Sequence, residues 1–150
     1  MKDKYLRETR MVDFSNPAIQ KLIQNMKWKE MGEFERIKAI YNYVRDDVLF
    51  GYNIDDGISA SKVLADGYGQ CNTKGTLFMA LLRACNIPCR VHGFTIDKRL
   101  QKGAMTGFVY RNAPKSIFHS WVEINFENQW YELEAVSYTH LRAHETGRNL

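Results

Sequence analysis

The sequence predicts an α+β fold, helices first and an antiparallel sheet after them. Two patterns carry that reading. Apolar residues recur at helical spacing in several segments between Pro17 and Ala84, and the segments 90–96, 118–126 and 129–134 alternate at the two-residue period of half-buried strands. Helical and strand patterns that segregate along a chain lead to α+β rather than to alternating α/β architecture.

Pro17 follows Ser15-Asn16 as an N1 proline follows a capping residue, and Ile19, Leu22, Ile23 and Met26 line one face of a first helix. A second helix starts at Glu33, with Phe34, Ile37, Ile40, Tyr41, Val44 and Val48 on one stripe and charge on the other face. Ser59 can cap a short third helix running through Leu64, which leaves Phe50 to Ile58 as a loop expected near the fourth helix. Gly67 and Gly69 break the chain just before Cys71, and the run from Asn72 to Ala84 holds no proline, so a turn feeds a helix there. Leu77, Phe78, Leu81, Leu82 and Cys85 form its buried stripe. Asn86 stands where a left-handed cap residue is expected, and Ile87-Pro88 bars continuation. Arg90 to Ile96 then alternates as a strand, and Asp97 to Lys115 is a polar connection long enough to border a site. Phe118 to Phe126 and Gln129 to Glu134 alternate about Glu127-Asn128, a pair suited to a tight hairpin turn.

Chemistry concentrates at the start of the fourth helix and in that hairpin. Helical steps from Cys71 reach Gly75, Phe78 and Leu82, so Cys71 is expected to face inward. It stands at the positive end of a helix dipole, where unpaired N–H groups favour a thiolate over a thiol. Pairing the hairpin about its turn puts Trp121 opposite Glu134, with Val122, Ile124, Tyr131 and Leu133 on the hydrophobic face. His119 becomes a diagonal neighbour of Glu134 on the same face, with Cα atoms roughly 7–8 Å apart, a gap a glutamate can span. Each of Cys71, His119 and Glu134 alone would read as an ordinary structural or surface residue. Together, in this order and on faces that can meet, they read as nucleophile, base and orienting acid. Gln70, beside the nucleophile, is a candidate oxyanion donor with the backbone N–H of Cys71, and Tyr52 is another. Trp121 is a candidate site wall.

The segments GYGQCNTKGTLFMALLRACNIPCRV and HSWVEINFENQWYELE resemble the transglutaminase-like superfamily, whose fold is similar to that of papain-type cysteine proteases. The resemblance spans about residues 35 to 135. It rests on the G-x-C helix start, the L-L-R-A-x-x-I-P-x-R exit and the H-x-W-x-E strand. It implies a papain-like core, with the catalytic helix packed on an antiparallel sheet, and a Cys-His-acid triad at Cys71, His119 and Glu134. Many members have Asp where this chain has Glu134; either carboxylate can accept the imidazole proton. The activity so implied is acyl transfer or amide hydrolysis on a protein or peptide substrate through a thioester, with no cofactor. Nothing in the residues marks an amine pocket, so hydrolysis is the favoured outcome. The rival reading is a protein-binding module that keeps the fold without catalysis, against which an intact triad speaks.

Val136 to Thr146, VSYTHLRAHET, matches the translation of a transposase library adapter. Residues 136–150 are therefore expected to be a loosely docked read-through tail on a single domain, 1–135, whose natural C-terminus continues elsewhere. His140 and His144 accordingly receive no role. The formal net charge of +4 becomes +3 without the tail, because Arg142 and Arg148 outnumber Glu145 by one. Basic residues are scattered among acids with no aromatic platform motif, which argues against nucleic acid. No stretch approaches a membrane span and the N-terminus lacks a signal-peptide core, so a cytoplasmic address is expected. Cys85 and Cys89, even with His92 nearby, do not match a zinc spacing; reduced core thiols are expected and no metal. Nothing in the sequence speaks to oligomeric state.

Overall fold

The structure, a computed structural model, describes residues 2–97 and 116–135. In chain order the elements are α1 (Pro17–Met26), α2 (Glu33–Asn42), β1 (Leu49–Phe50), α3 (Ala60–Asp66), β2 (Tyr68–Gly69), α4 (Cys71–Ala84), β3 (Cys89–Asp97), β4 (Ser116–Phe126) and β5 (Gln129–Leu133). Short 3-10 turns cover Lys2–Tyr5 and Trp28–Glu30. The last three strands form one antiparallel sheet in the order β3-β4-β5, and β1 pairs in parallel with β2. The α+β class is as predicted. The connection read after Asp97 and the tail from Val136 lie outside the described residues.

Local chemistry accounts for the helix ends. The Asn16 side chain accepts from the Ala18 N–H at 2.9 Å, and Lys27 closes α1 in the left-handed region at φ 57°. Ile19 and Ile23 are buried, whereas Met26, in the last turn, is exposed. On α2, Ile37, Ile40 and Tyr41 are buried, but Phe34 stays exposed and packs its ring on Phe126 instead. α4 ends in a Schellman motif: Asn86, at φ 66°, donates to the Arg83 carbonyl at 3.0 Å, and Ile87 to the Leu82 carbonyl at 2.9 Å. Arg36 ties this end to the rest, its guanidinium donating to the carbonyls of Cys85 and Met31, both at 2.9 Å, and of Trp28 at 3.0 Å.

Two features departed from the periodic reading. α4 is not amphipathic about one stripe, since Thr73, Lys74, Thr76, Met79 and Ala80 are buried as well. α2, α3, β3 and β4 all pack against it, making it the central helix. The second departure lies at the end of α2, where the chain widens into a π turn over Tyr43–Asp47. Carbonyls at the end of this turn solve the problem posed by Lys74, a cation only 1 % exposed. Its Nζ donates to the Val48 carbonyl at 2.7 Å and to the Arg45 carbonyl at 3.2 Å. Such a group is tolerated inside a protein only when hydrogen-bonded. Lys74→Met keeps the volume but removes the donor, and is expected to cost about 2–4 kcal/mol. Urea unfolding measures it; a loss below about 0.5 kcal/mol, the range of neutral surface changes, would show that these bonds do not hold the turn.

The hairpin has the register read from its turn: Val122 faces Leu133, Glu123 faces Glu132 and Ile124 faces Tyr131. Glu127 and Asn128 both take positive φ, 52° and 65°, as a primed turn requires. Val122, Ile124 and Leu133 are buried, while Tyr131 on the edge strand is exposed. On the other face, Arg90 lies 3.9 Å over the Trp130 ring, and Tyr5 meets Trp130 edge-on, so the N-terminal segment covers part of the hairpin.

Candidate active site

The start of α4 is built on close backbone approach. Gly67 ends α3 at φ 76°, a conformation that glycine adopts without strain. A Cβ on Gly69 would come within 2.7 Å of Thr73 Oγ1 and 2.9 Å of Lys74 Cγ, so only glycine fits. The short β1–β2 pairing holds this turn through Gly51 N–H to the Gly69 carbonyl at 3.0 Å. The Gln70 N–H then donates to Thr73 Oγ1 at 3.0 Å, capping the helix. Cys71 follows as its first residue, half-buried.

His119 comes from β4, and Glu134 is the residue just after β5. His119 Nε2 donates to Glu134 Oε1 at 2.8 Å, since the carboxylate can only accept. With Nε2 so engaged, Nδ1 is the nitrogen left to exchange a proton with a thiol. The imidazole pKa is pushed up to about 10, first by its hydrogen bond with Cys71 and next by that with Glu134, against desolvation. Cys71, His119 and Glu134, far apart in sequence, are thus brought into one hydrogen-bonded line.

That shift has a consequence for stability. Unfolded, His119 loses its proton near the ordinary imidazole value of 6.5; folded, it holds it to about 10. The folded state therefore binds more protons across this window, and the stabilisation from His119 is complete below it and lost as pH rises through it. Chemical denaturation of wild type and His119→Gln should show a stability gap that shrinks between about pH 6.5 and pH 10. A gap that widens over that range would contradict the pairing.

Around this line the other candidates take different places. Trp121 is half-buried with its ring 6.3 Å from that of His119, and stacks on His92 at 5.3 Å with the planes 5° apart. His92 Nδ1 in turn lies 3.0 Å from Glu123 Oε1, and Arg90 Nε 2.6 Å from Glu123 Oε2. Burial raises the Glu123 carboxyl, but its Arg90 and His92 partners outweigh it and hold the group below its ordinary range. Gln70 has its amide nitrogen on Asp56 and its amide oxygen 3.0 Å from Thr73 Oγ1. Tyr52 is 62 % exposed, its ring edge-on to Phe50.

One participant was missed from sequence. Asn72 Oδ1 accepts from the Cys71 thiol at 3.7 Å and from the Ser120 hydroxyl on β4, while its Nδ2 donates to Asp56 at 2.9 Å. The only sequence signal was its place after the nucleophile. Cys85 and Cys89 are buried away from these groups; burial raises the Cys85 thiol and pushes Cys89 up to about 12. Among the described residues, no group of three or more His, Cys, Asp and Glu could hold a metal ion. No helix among them is long and apolar enough to cross a membrane.

The family model of the transglutaminase-like superfamily matches residues 20–135, and the chain belongs to that superfamily. A crystal structure named as that of a "Putative Cysteine Protease from Cytophaga hutchinsonii" is similar in fold, with a TM-score of 0.62 at 21 % identity. The match covers 89 % of this chain but 41 % of the other, so the chain spans about two fifths of that protein's length. No curated protein sequence matches the chain significantly.

Proposed function

We propose that the protein is a cysteine enzyme that cleaves or transfers amide-linked acyl groups of a protein or peptide through a thioester on Cys71. The observation that carries this reading is the His119–Glu134 bond of 2.8 Å, on an imidazole whose proton is also held by its pairing with Cys71 at the head of α4.

In this reading the thiol proton already rests on His119 Nδ1, giving a thiolate–imidazolium pair, and the sulfur attacks the substrate carbonyl, giving a tetrahedral oxyanion at the helix start. As the first residue of α4, Cys71 offers its backbone N–H to that oxygen. As the intermediate collapses the C–N bond breaks, and the imidazolium gives its proton to the leaving amine. Water, deprotonated by His119, then hydrolyses the thioester; an amine in its place completes a transfer. Glu134 keeps the imidazole oriented and stabilises its charge. Trp121 walls the site beside His119, and Gln70 or Tyr52 serves the oxyanion only if its side chain turns from its present contacts.

An activated ester such as p-nitrophenyl acetate tests this without the natural substrate. Peptide mass spectrometry should find acetyl on Cys71 and on neither Cys85 nor Cys89, and His119→Ala should remove it. Acetylation spread evenly over the three, or absent from Cys71, would overturn the reading.

A further inference from the structure

The carboxylate of Asp56, in the loop between β1 and α3, spans the residues on either side of Cys71. One oxygen takes the Gln70 amide nitrogen and the other takes Asn72 Nδ2 at 2.9 Å. A carboxylate only accepts, so Asn72 must turn its NH2 toward Asp56. Its amide oxygen then faces the other way, onto the Cys71 sulfur at 3.7 Å and the Ser120 hydroxyl. The reversed amide would set two oxygens against each other at Asp56 and leave the thiol and hydroxyl facing an NH2.

This orientation matters for the sulfur. An oxygen acceptor binds a thiol but repels a thiolate, whereas an N–H donor does the reverse. The sulfur thus has two opposed neighbours: the His119 imidazolium, which favours the thiolate, and the Asn72 amide oxygen, which favours the thiol. We propose that Asp56 is a positioning residue: it locks the Asn72 amide with its oxygen on Cys71 and so favours the thiol over the thiolate that pairs with the His119 imidazolium. This rests on the reading of Cys71 as nucleophile. The titratable groups connected to Cys71 by hydrogen bonds are His119 from β4, with Glu134 behind it, and Asp56 through Asn72 from the loop. Lys74, on α4 itself, directs its ammonium to the Arg45 and Val48 carbonyls.

The pH profile of Cys71 alkylation by iodoacetamide, mapped by peptide mass spectrometry, tests the lock in wild type, Asp56→Asn and Asn72→Ala. Asp56→Asn keeps the shape but leaves one acceptor oxygen for the two amides, so the Asn72 amide is no longer locked and can present its NH2 to Cys71. Both variants should move the midpoint to lower pH, labelling Cys71 about threefold faster near pH 6, as loss of one ordinary hydrogen bond to the thiol implies. The plateau rate at high pH should stay unchanged. A rise equal at all pH values means looser access alone and overturns the proposal, as does an unmoved profile. A shift in Asp56→Asn without one in Asn72→Ala means the charge acts directly, and overturns the route through the amide. Wild-type Cys71 no more reactive than Cys85 would instead sink the nucleophile reading beneath it.

Discussion

His119→Ala is expected to abolish turnover of any amide substrate, by roughly four orders of magnitude or more, while leaving the fold in place. The ring is the only imidazole that meets both Cys71 and Glu134 among the described residues, and its removal leaves the thiol proton without that acceptor. Its side chain is 24 % exposed, at the margin of the sheet rather than in the core, so little packing is lost. Circular dichroism and the unfolding midpoint at high pH should stay close to wild type. A variant that keeps a near wild-type rate at neutral pH would exclude His119 as the base.

Glu134→Gln should be nearly as severe for a different reason. The amide keeps the shape of the carboxylate and can still accept from Nε2, but it has no charge to stabilise imidazolium. The equivalent change in a serine triad lowers kcat by roughly 10⁴, and a drop of that order is expected here. Glu132 supplies the internal control. It faces Glu123 in the hairpin ladder, and Glu123 is already engaged by Arg90 and His92, so Glu132→Gln should change the rate less than about tenfold. Severe loss in Glu132→Gln with a mild effect in Glu134→Gln would mean that the wrong carboxylate has been assigned.

The legible parts of this protein were those fixed by short-range rules. The Glu127-Asn128 turn needs two residues at positive φ, and once it is placed the ladder follows, carrying His119 and Glu134 to the same face. Gly69 before Cys71 and Asn86 after Ala84 likewise mark both ends of α4 by backbone requirements that few residues meet. What could not be read depends on partners distant in the chain. Phe50 reads as the start of a loop because so short a segment carries no period; with Leu49 it becomes a strand only by pairing with Tyr68 and Gly69. Lys74 breaks the rule that cations face water, because carbonyls of Arg45 and Val48, supplied by a π turn, are waiting for it. Gln70 reads as a free amide beside a nucleophile until Asp56, fourteen residues earlier, takes its nitrogen.

Cys71 is proposed as a nucleophile made reactive by its position, and limited alkylation measures that directly. The protein has three free cysteines, of which Cys85 and Cys89 are buried with thiols raised by desolvation. Iodoacetamide at about pH 6, well below the ordinary thiol range near 8.5, should label Cys71 first and nearly alone in the folded protein, and His119→Ala should slow that labelling. Cys71 reacting no faster than a free thiol at that pH, or at a rate indifferent to His119, would contradict the account and favour a binding module that keeps the fold without the chemistry.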